Sequence, residues 1–293
     1  MTSSSTVGPR IDLHTHSTAS DGTLSPAELV VAAAAAGLDV VAITDHDTTA
    51  GWAAAAAALP PGLTLVPGAE LSCRWYGAEP PVPLHLLAYL FDPECPELAA
   101  EMARVRAARE TRAERIVERL RSDGIDISWE EVYASAGGGT VGRPHIAQAL
   151  IRAGAVSTIA EAFAPQWLGE RYRLPKEDTD VFLAVRLVRQ AGGVPVFAHP
   201  KATRRGRVVP DSLIAELADA GLAGLEADHE DHSPTERARV RALAAELGLL
   251  VTGSSDFHGT YKTVRLGAYT TAPEMFERLL SEAKGVPVIT SST

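Results

Sequence analysis

The sequence predicts an α/β protein in which strands alternate with crossover helices, interrupted once by a long helical segment. Three observations carry that expectation. From residue 11 onward, apolar β-rich runs recur between helical stretches, the pattern of parallel strands joined by helices. The rhythm breaks after Pro96 and returns near residue 178. The 293 residues suffice for one barrel-sized domain, or for two small ones, and can bury a full core.

The elements follow in order. Residues 1–10, MTSSSTVGPR, are polar and read as a frayed N-terminus. IDLHTH is the first strand, and SPAELVVAAAAAGL is a helix with Ser25 as N-cap, Pro26 in the first turn, Glu28 completing a capping box and Gly37 as its stop. DVVAIT, LTLVPGAELS and VPLHLLAYL are further strands, with TTAGWAAAAAAL as a helix after the first of them. Both alanine tracts are simply good helix formers.

Residues 97–123 read as one charge-laced helix ending near Gly124, and 124–177 as helical fragments broken by the glycine run of SAGGGTVGRPHIA and by Pro165 and Pro175. The expected division is a barrel of residues 11–96 plus 178–293 and a helical insertion of 97–177. The βα rhythm resumes with DVFLAVRLVRQAGG, VPVFAHP, a helix from Asp211, GLAGLEA, a helix from Ser233 and LLVTGSSDFHG.

Composition excludes several classes. Hydrophobic residues make up 46% and charged residues 22%, which is ordinary for a globular protein. No run approaches the roughly 18 apolar residues of a membrane span and the start lacks a secretory signal, so a cytoplasmic protein without membrane contact is expected. Cys73 and Cys95 are too few for a disulfide framework or a thiolate metal site and read as small hydrophobes. The net charge of −10 and pI near 5.4 argue against stable binding of duplex nucleic acid. They leave a small phosphorylated substrate open, because bound cations would reverse the local field. A monomer or small homo-oligomer is expected.

The chemistry lies at the ends of the expected strands. His14 and His16 end the first; Asp45 and His46 follow AIT; Glu70 sits in PGAELS, His85 in LHLLAY, His199 in FAHP, and Asp256 with His258 in GSSDFHG. Side chains at i and i+2 of a strand share a face, so His14 and His16 converge if the strand persists that far. A His-x-His pair alone can equally be two turn or core histidines, and His85 alone reads better as a core histidine bonded to a carbonyl. Six of the nine histidines at strand C-termini, where barrel enzymes place their chemistry, favour a metal centre. Imidazole and carboxylate together suit Mn²⁺, Zn²⁺ or Fe²⁺, and so many ligands exceed the needs of one ion.

IDLHTHSTASDG, AITDHD, PGAELS, FAHP and GSSDFHG together resemble the motifs of the polymerase and histidinol phosphatase (PHP) superfamily, across both ends of the chain. The resemblance implies a distorted (β/α)7 barrel with a di- or trinuclear metal centre that hydrolyses phosphate esters. Order, spacing and insertion are most similar to 3′,5′-nucleoside bisphosphate phosphatases and related 5′ to 3′ exoribonucleases. Carried over by motif, it implies that His14, His16, Glu70 and Asp256 hold a first metal and Asp21, His46 and His258 a second. Glu70 would bridge to a third, held by His85 and His199. Two or three divalent ions are expected, Mn²⁺ first, with Zn²⁺ or Fe²⁺ as alternatives. Asp45 reads either as the carboxylate that orients a liganding histidine or as a cap for the helix starting near Thr48.

Clustered divalent metals can supply a nucleophilic water, here bridged between metals held by Glu70 and Asp256, and can neutralise the phosphoryl oxygens. No Ser or Cys nucleophile is needed. GGGTVGRPHIAQAL offers free N–H groups at a helix start, with Arg143 and His145 placed to meet an anion, or it is a flexible loop before a Pro-initiated helix. Lys176 near the end of the insertion and Arg204 after FAHP are further candidates for substrate phosphate, while Arg171, Arg173, Lys201, Arg205 and Arg207 read mostly as solvated charges. In HEDHSPTE, His232 is a candidate proton donor or phosphate contact, and equally part of the cap of the helix at Ser233.

The leading expectation is hydrolysis of the 3′-phosphate of a 3′,5′-bisphosphonucleoside, with trimming of short RNA beside it. A histidinol phosphate phosphatase is the alternative within enzymes. A nucleic-acid-associated PHP module with structural metal is the alternative outside them.

Overall fold

The structure, a computed structural model, describes residues 8–137 and 139–291; residues 1–7 of the expected N-terminal tail and Gly138 of the glycine run lie outside the described residues. The strands are β1 (Ile11–Asp12), β2 (Val40–Ile43), β3 (Thr64–Trp75), β4 (Val82–Tyr89), β5 (Thr179–Asp180), β6 (Val194–Phe197), β7 (Gly224–Asp228), β8 (Leu250–Gly253) and β9 (Ile289–Thr290). Seven of them, in the order β1-β2-β3-β4-β6-β7-β8, form a nearly closed barrel, and β5 and β9 attach to β3. The seam between β1 and β8 is closed beyond the strands, where His16 N donates to Phe257 O at 2.9 Å and Ser255 N to Asp12 Oδ1 at 3.0 Å.

Helices α1 (Pro26–Ala35), α2 (Trp52–Ala57), α7 (Val181–Gln190), α8 (Asp211–Asp219), α9 (Pro234–Glu246) and α10 (Pro273–Glu282) belong to the barrel. The insertion holds α3 (Pro96–Ser122), α4 (Trp129–Ser135), α5 (Arg143–Arg152) and α6 (Ile159–Ala162). The expected start of α1 is present in full: Ser25 and Glu28 form the capping box, Pro26 opens the helix, and Gly37 follows it at φ 73°. Strand alternation separates two cores. Val40 and Ala42 point into an interior cluster with Ile11, Leu87 and Tyr89, whereas Val41 and Ile43 pack outward under α1 and α2.

Two expectations need correction. IDLHTH contributes only two strand residues, so His14 and His16 stand on irregular backbone beyond β1, with Thr15 in a lone bridge to Phe257. The run VPLHLLAYL is antiparallel to both neighbours, β3 and β6, rather than parallel. Residues 76–81 between β3 and β4 are too few for a crossover helix, so a hairpin is the only connection available. The C-terminal helix α10, absent from the sequence expectation, sends Phe276 and Leu279 into the interior cluster.

The insertion has an apolar cluster of its own, with Ile116, Val117 and Leu120 of α3 packed on Val132, Ile146 and Leu150. Leu98 and Met102 of α3 join the apolar cluster of the barrel, Arg109 donates to Asp47, and the loop before α5 meets the rim. Thr140 N donates to Ala19 O at 3.0 Å, Thr140 Oγ1 to His46 O at 3.3 Å, and a Cβ on Gly139 would stand 2.3 Å from Thr18 O. That close approach explains the glycine at position 139 better than an anion-binding loop does.

Candidate metal centre

The strand ends bring nine predicted side chains to one buried cluster: His14, His16, Asp21, His46, Glu70, His85, His199, Asp256 and His258. Glu70, in the middle of β3, organises it. Its Oε2 lies 3.2 Å from His14 Nε2, 3.1 Å from His16 Nε2 and 3.3 Å from His46 Nδ1. Its Oε1 faces the other way, 2.7 Å from His85 Nδ1 and 3.4 Å from His199 Nε2. His85 therefore turns toward the cluster rather than into the core.

Donor atoms gather in three groups whose members lie within 4.8 Å of one another: His14, His16, Glu70 and Asp256; His16, Asp21, His46 and His258; and His46, Glu70 and His85. His199 reaches the last group through Glu70.

The donor set fits divalent ions. Asp21 Oδ1, His46 Nδ1 and Asp256 Oδ1 are buried without a hydrogen-bond partner among the described residues, and each belongs to one of these groups. A buried, unpartnered polar atom is costly unless something else satisfies it. The electrostatics agree. Burial alone would raise the Glu70 carboxyl, but the imidazoles of His85, His14 and His46 hold it well below the usual range. Burial lowers His14, yet Glu70, Asp256 and Glu226 raise it well above 6.5. These are carboxylates in want of cations.

Positioning groups surround the cluster. Glu226 on β7, missed in the sequence, accepts from His14 Nδ1 at 3.0 Å and from His199 N at 2.9 Å, so that His14 presents Nε2 to the centre. A carboxylate inside the apolar strand GLAGLEA was its available signal. Asp45 accepts from Ser17 N, Ser17 Oγ and Ser20 Oγ at 2.8, 2.6 and 2.6 Å. It ties down the turn that carries Asp21 and neither caps α2, whose N-cap is Gly51, nor bonds a histidine directly. Left-handed backbone at His199 (φ 35°) and Asp256 (φ 52°) places two strained residues at the centre, as functional sites commonly do.

Several substrate-binding expectations change. His232 accepts from Lys201 N at Nε2 and donates from Nδ1 to Ala227 O, so both ring nitrogens are engaged and it is no proton donor. His229, three residues earlier, takes the inward place, with Nε2 3.2 Å from Asp256 Oδ2. Arg204 is exposed on a 3-10 turn, Thr203–Arg205, without a side-chain hydrogen bond among the described residues, while Arg205 reaches Asp256 at 2.6 Å.

Arg143 donates to Leu168 O at 3.2 Å and lies over the Phe163 ring, 5.2 Å from its centroid, so it serves the insertion rather than the metal groups. His145 Nδ1 accepts from Gly142 N at 3.0 Å and closes the start of α5. Lys176 borders a groove of about 430 Å³ with Arg74 and Arg173.

A seven-stranded barrel with three such His/carboxylate groups at its rim is the frame of a metal-dependent hydrolase, and the proteins it is similar to make it one acting on phosphate esters. The chain belongs to the PHP family: the PHP domain model matches residues 12–121. It is 35% identical over 262 residues to a 5′-3′ exoribonuclease of Haemophilus influenzae, covering 88% of this chain and 93% of that one. To a 3′,5′-nucleoside bisphosphate phosphatase of Chromobacterium violaceum it is 33% identical over 251 residues, covering 85% and 87%. A solved Bifidobacterium adolescentis protein described as a metal-dependent phosphoesterase superposes with a TM-score of 0.87 at 37% identity, over 96% of this chain and 98% of that one.

Proposed function

We propose that the chain removes the 3′-phosphate of 3′,5′-bisphosphonucleosides and, in the same site, trims short 5′-phosphorylated RNA. The observation that carries this is a pocket of about 240 Å³ over the metal groups, walled on the far side by Pro144, Ile159 and Phe163 of the insertion and by Tyr261. An apolar, partly aromatic wall opposite a phosphate-processing floor suits a nucleoside. In this reading His14, His16, Glu70 and Asp256 hold one ion, Asp21, His46 and His258 a second, and His85 and His199 with Glu70 offer a third position. Bound divalent ions supply a nucleophile at neutral pH and charge neutralisation at the phosphoryl group. The insertion, residues 97–177, caps the site and selects the substrate.

The spare phosphate would meet cations of the insertion, grouped around Arg109, whose charge also acts on His46 and His145. Arg109 is committed to Asp47 Oδ2 at 3.0 Å, but Arg112 and Lys176 have no hydrogen bond or ion pair among the described residues. Burial, with Arg109, Arg112 and Arg143 nearby and only Asp178 opposing, pushes Lys176 down to about 8. Burial and Arg109 lower Arg112 to about 10. Cations that depress one another gain by sharing an anion. Histidinol phosphate, whose own amine is positive, gains nothing there.

Phosphate release from a 3′,5′-bisphosphonucleoside, histidinol phosphate and a short 5′-phosphorylated RNA tests the reading. The bisphosphonucleoside should exceed histidinol phosphate in kcat/KM by about tenfold or more, one good charged contact's worth. The reverse order overturns the proposal, and inactivity on all three points to a module with structural metal.

A second test uses pH. Because Lys176 loses its proton near 8, kcat/KM for the two-phosphate substrate should fall as pH rises through that value, while a simple aryl phosphate should show no such limb. Lys176→Arg, charged throughout, should move the fall to higher pH. An identical profile in wild type and variant counts against Lys176.

A further inference from the structure

The position between His85 and His199 has a cation of the chain on one of its two imidazoles. Glu70 faces it with Oε1, between His85 Nδ1 and His199 Nε2. On the same His199 nitrogen lies the Arg205 guanidinium, whose NH1 donates to Nε2 at 2.9 Å. Two carboxylates hold it there: Asp231 Oδ2 is 2.6 Å from Nε, and Asp256 Oδ2 is 2.6 Å from NH2. A neutral imidazole has one acceptor nitrogen, so the lone pair that accepts from Arg205 cannot also bind an ion.

In the first two groups no Lys or Arg side chain meets a histidine ring nitrogen among the described residues. Lys262 and His229 meet Asp256 at Oδ2, as Arg205 does, and leave Oδ1 turned toward His14, His16 and His258. The guanidinium also has room to leave. It sits on the short turn after β6, ahead of Gly206 at φ 120°, and its side chain is 32% exposed.

We propose that Arg205 contests the third metal position. The chain holds two divalent ions tightly, with a guanidinium in place of the third, and admits a third ion only when Arg205 swings off His199. This inference rests on the reading of the cluster as a metal centre. It makes metal stoichiometry a property of one side chain whose neighbours in sequence, Arg204 and Arg207, do not reach the centre.

Metal-stripped wild type, Arg205→Gln and Asp231→Asn chains, each titrated with Mn²⁺ by calorimetry and assayed for bound metal after dialysis, test it. The expected result is two ions in wild type and three in Arg205→Gln, the third tightening by about tenfold or more once the like charge is gone. Asp231→Asn, which loosens the guanidinium without removing it, should fall between and covers a poorly folded Arg205→Gln. Equal stoichiometry and affinity in all three chains overturns the inference and leaves the metal centre standing. Absence of bound ion in the wild type overturns both.

Discussion

A Glu70→Gln variant is expected to fold, to bind at most one ion, and to lose kcat by at least about a thousandfold, equivalent to about 4 kcal/mol of transition-state stabilisation. The side chains are nearly the same size, and Glu70 sits in the paired core of β3, held in register with Leu87 of β4. The loss is one of charge. Glu70 is 1% exposed and its two oxygens meet the imidazoles of His14, His16, His46, His85 and His199. An amide presents one acceptor oxygen and one NH₂ donor, so one set of imidazole nitrogens would face a donor instead of an anion.

Removing this charge also unbalances the centre, because burial penalises the carboxylates and imidazoliums that remain. Bound Mn²⁺ after dialysis, kcat on an aryl phosphate and circular dichroism read the three parts of the prediction separately. A folded variant with full metal and near-normal kcat would remove Glu70 from the centre.

What was readable in the sequence follows the range of each signal. Capping at Ser25 and Glu28 is settled within four residues and needs no tertiary structure. The clustering of the His and carboxylate side chains is readable because strand ends in a barrel share one rim, so any such residue placed there shares it too. Side-chain choice between near neighbours was not readable. His229 and His232 differ by less than one turn, and which of them points inward depends on β7 ending at Asp228 and α9 starting after Ser233. Arg204 and Arg205 are separated only by the 3-10 turn that carries them. Arg143 looked like a phosphate ligand because its partner, the Leu168 carbonyl, arrives from 25 residues along the chain. The antiparallel β4 was within reach, since residues 76–81 allow nothing but a hairpin.

The same distinction between local and distant signals bears on Gly22, where a single methyl group is expected to cost the chain one ion. Gly22 ends the Ser/Gly turn after His16, with its N–H on Ser17 O at 2.9 Å. An added Cβ would stand 2.3 Å from His16 O, 2.6 Å from His16 C and 2.9 Å from Ser17 N. These are backbone atoms, so no flexible side chain can give way. The backbone must open instead, against the three hydrogen bonds by which Asp45 holds Ser17 and Ser20. Overpacking of this kind costs about 1–3 kcal/mol of stability.

The neighbour displaced is Asp21, whose carboxylate faces His46, His258 and His16 at 3.8, 3.4 and 3.7 Å. Gly22→Ala should therefore lose the ion of that group while the group of His14, Glu70 and Asp256 keeps its own, and kcat should fall by about a hundredfold or more as the second ion is lost. Metal content per chain, measured beside the melting temperature, separates this outcome from general unfolding. A stable variant with undiminished metal would show that the turn does not deliver Asp21 to an ion.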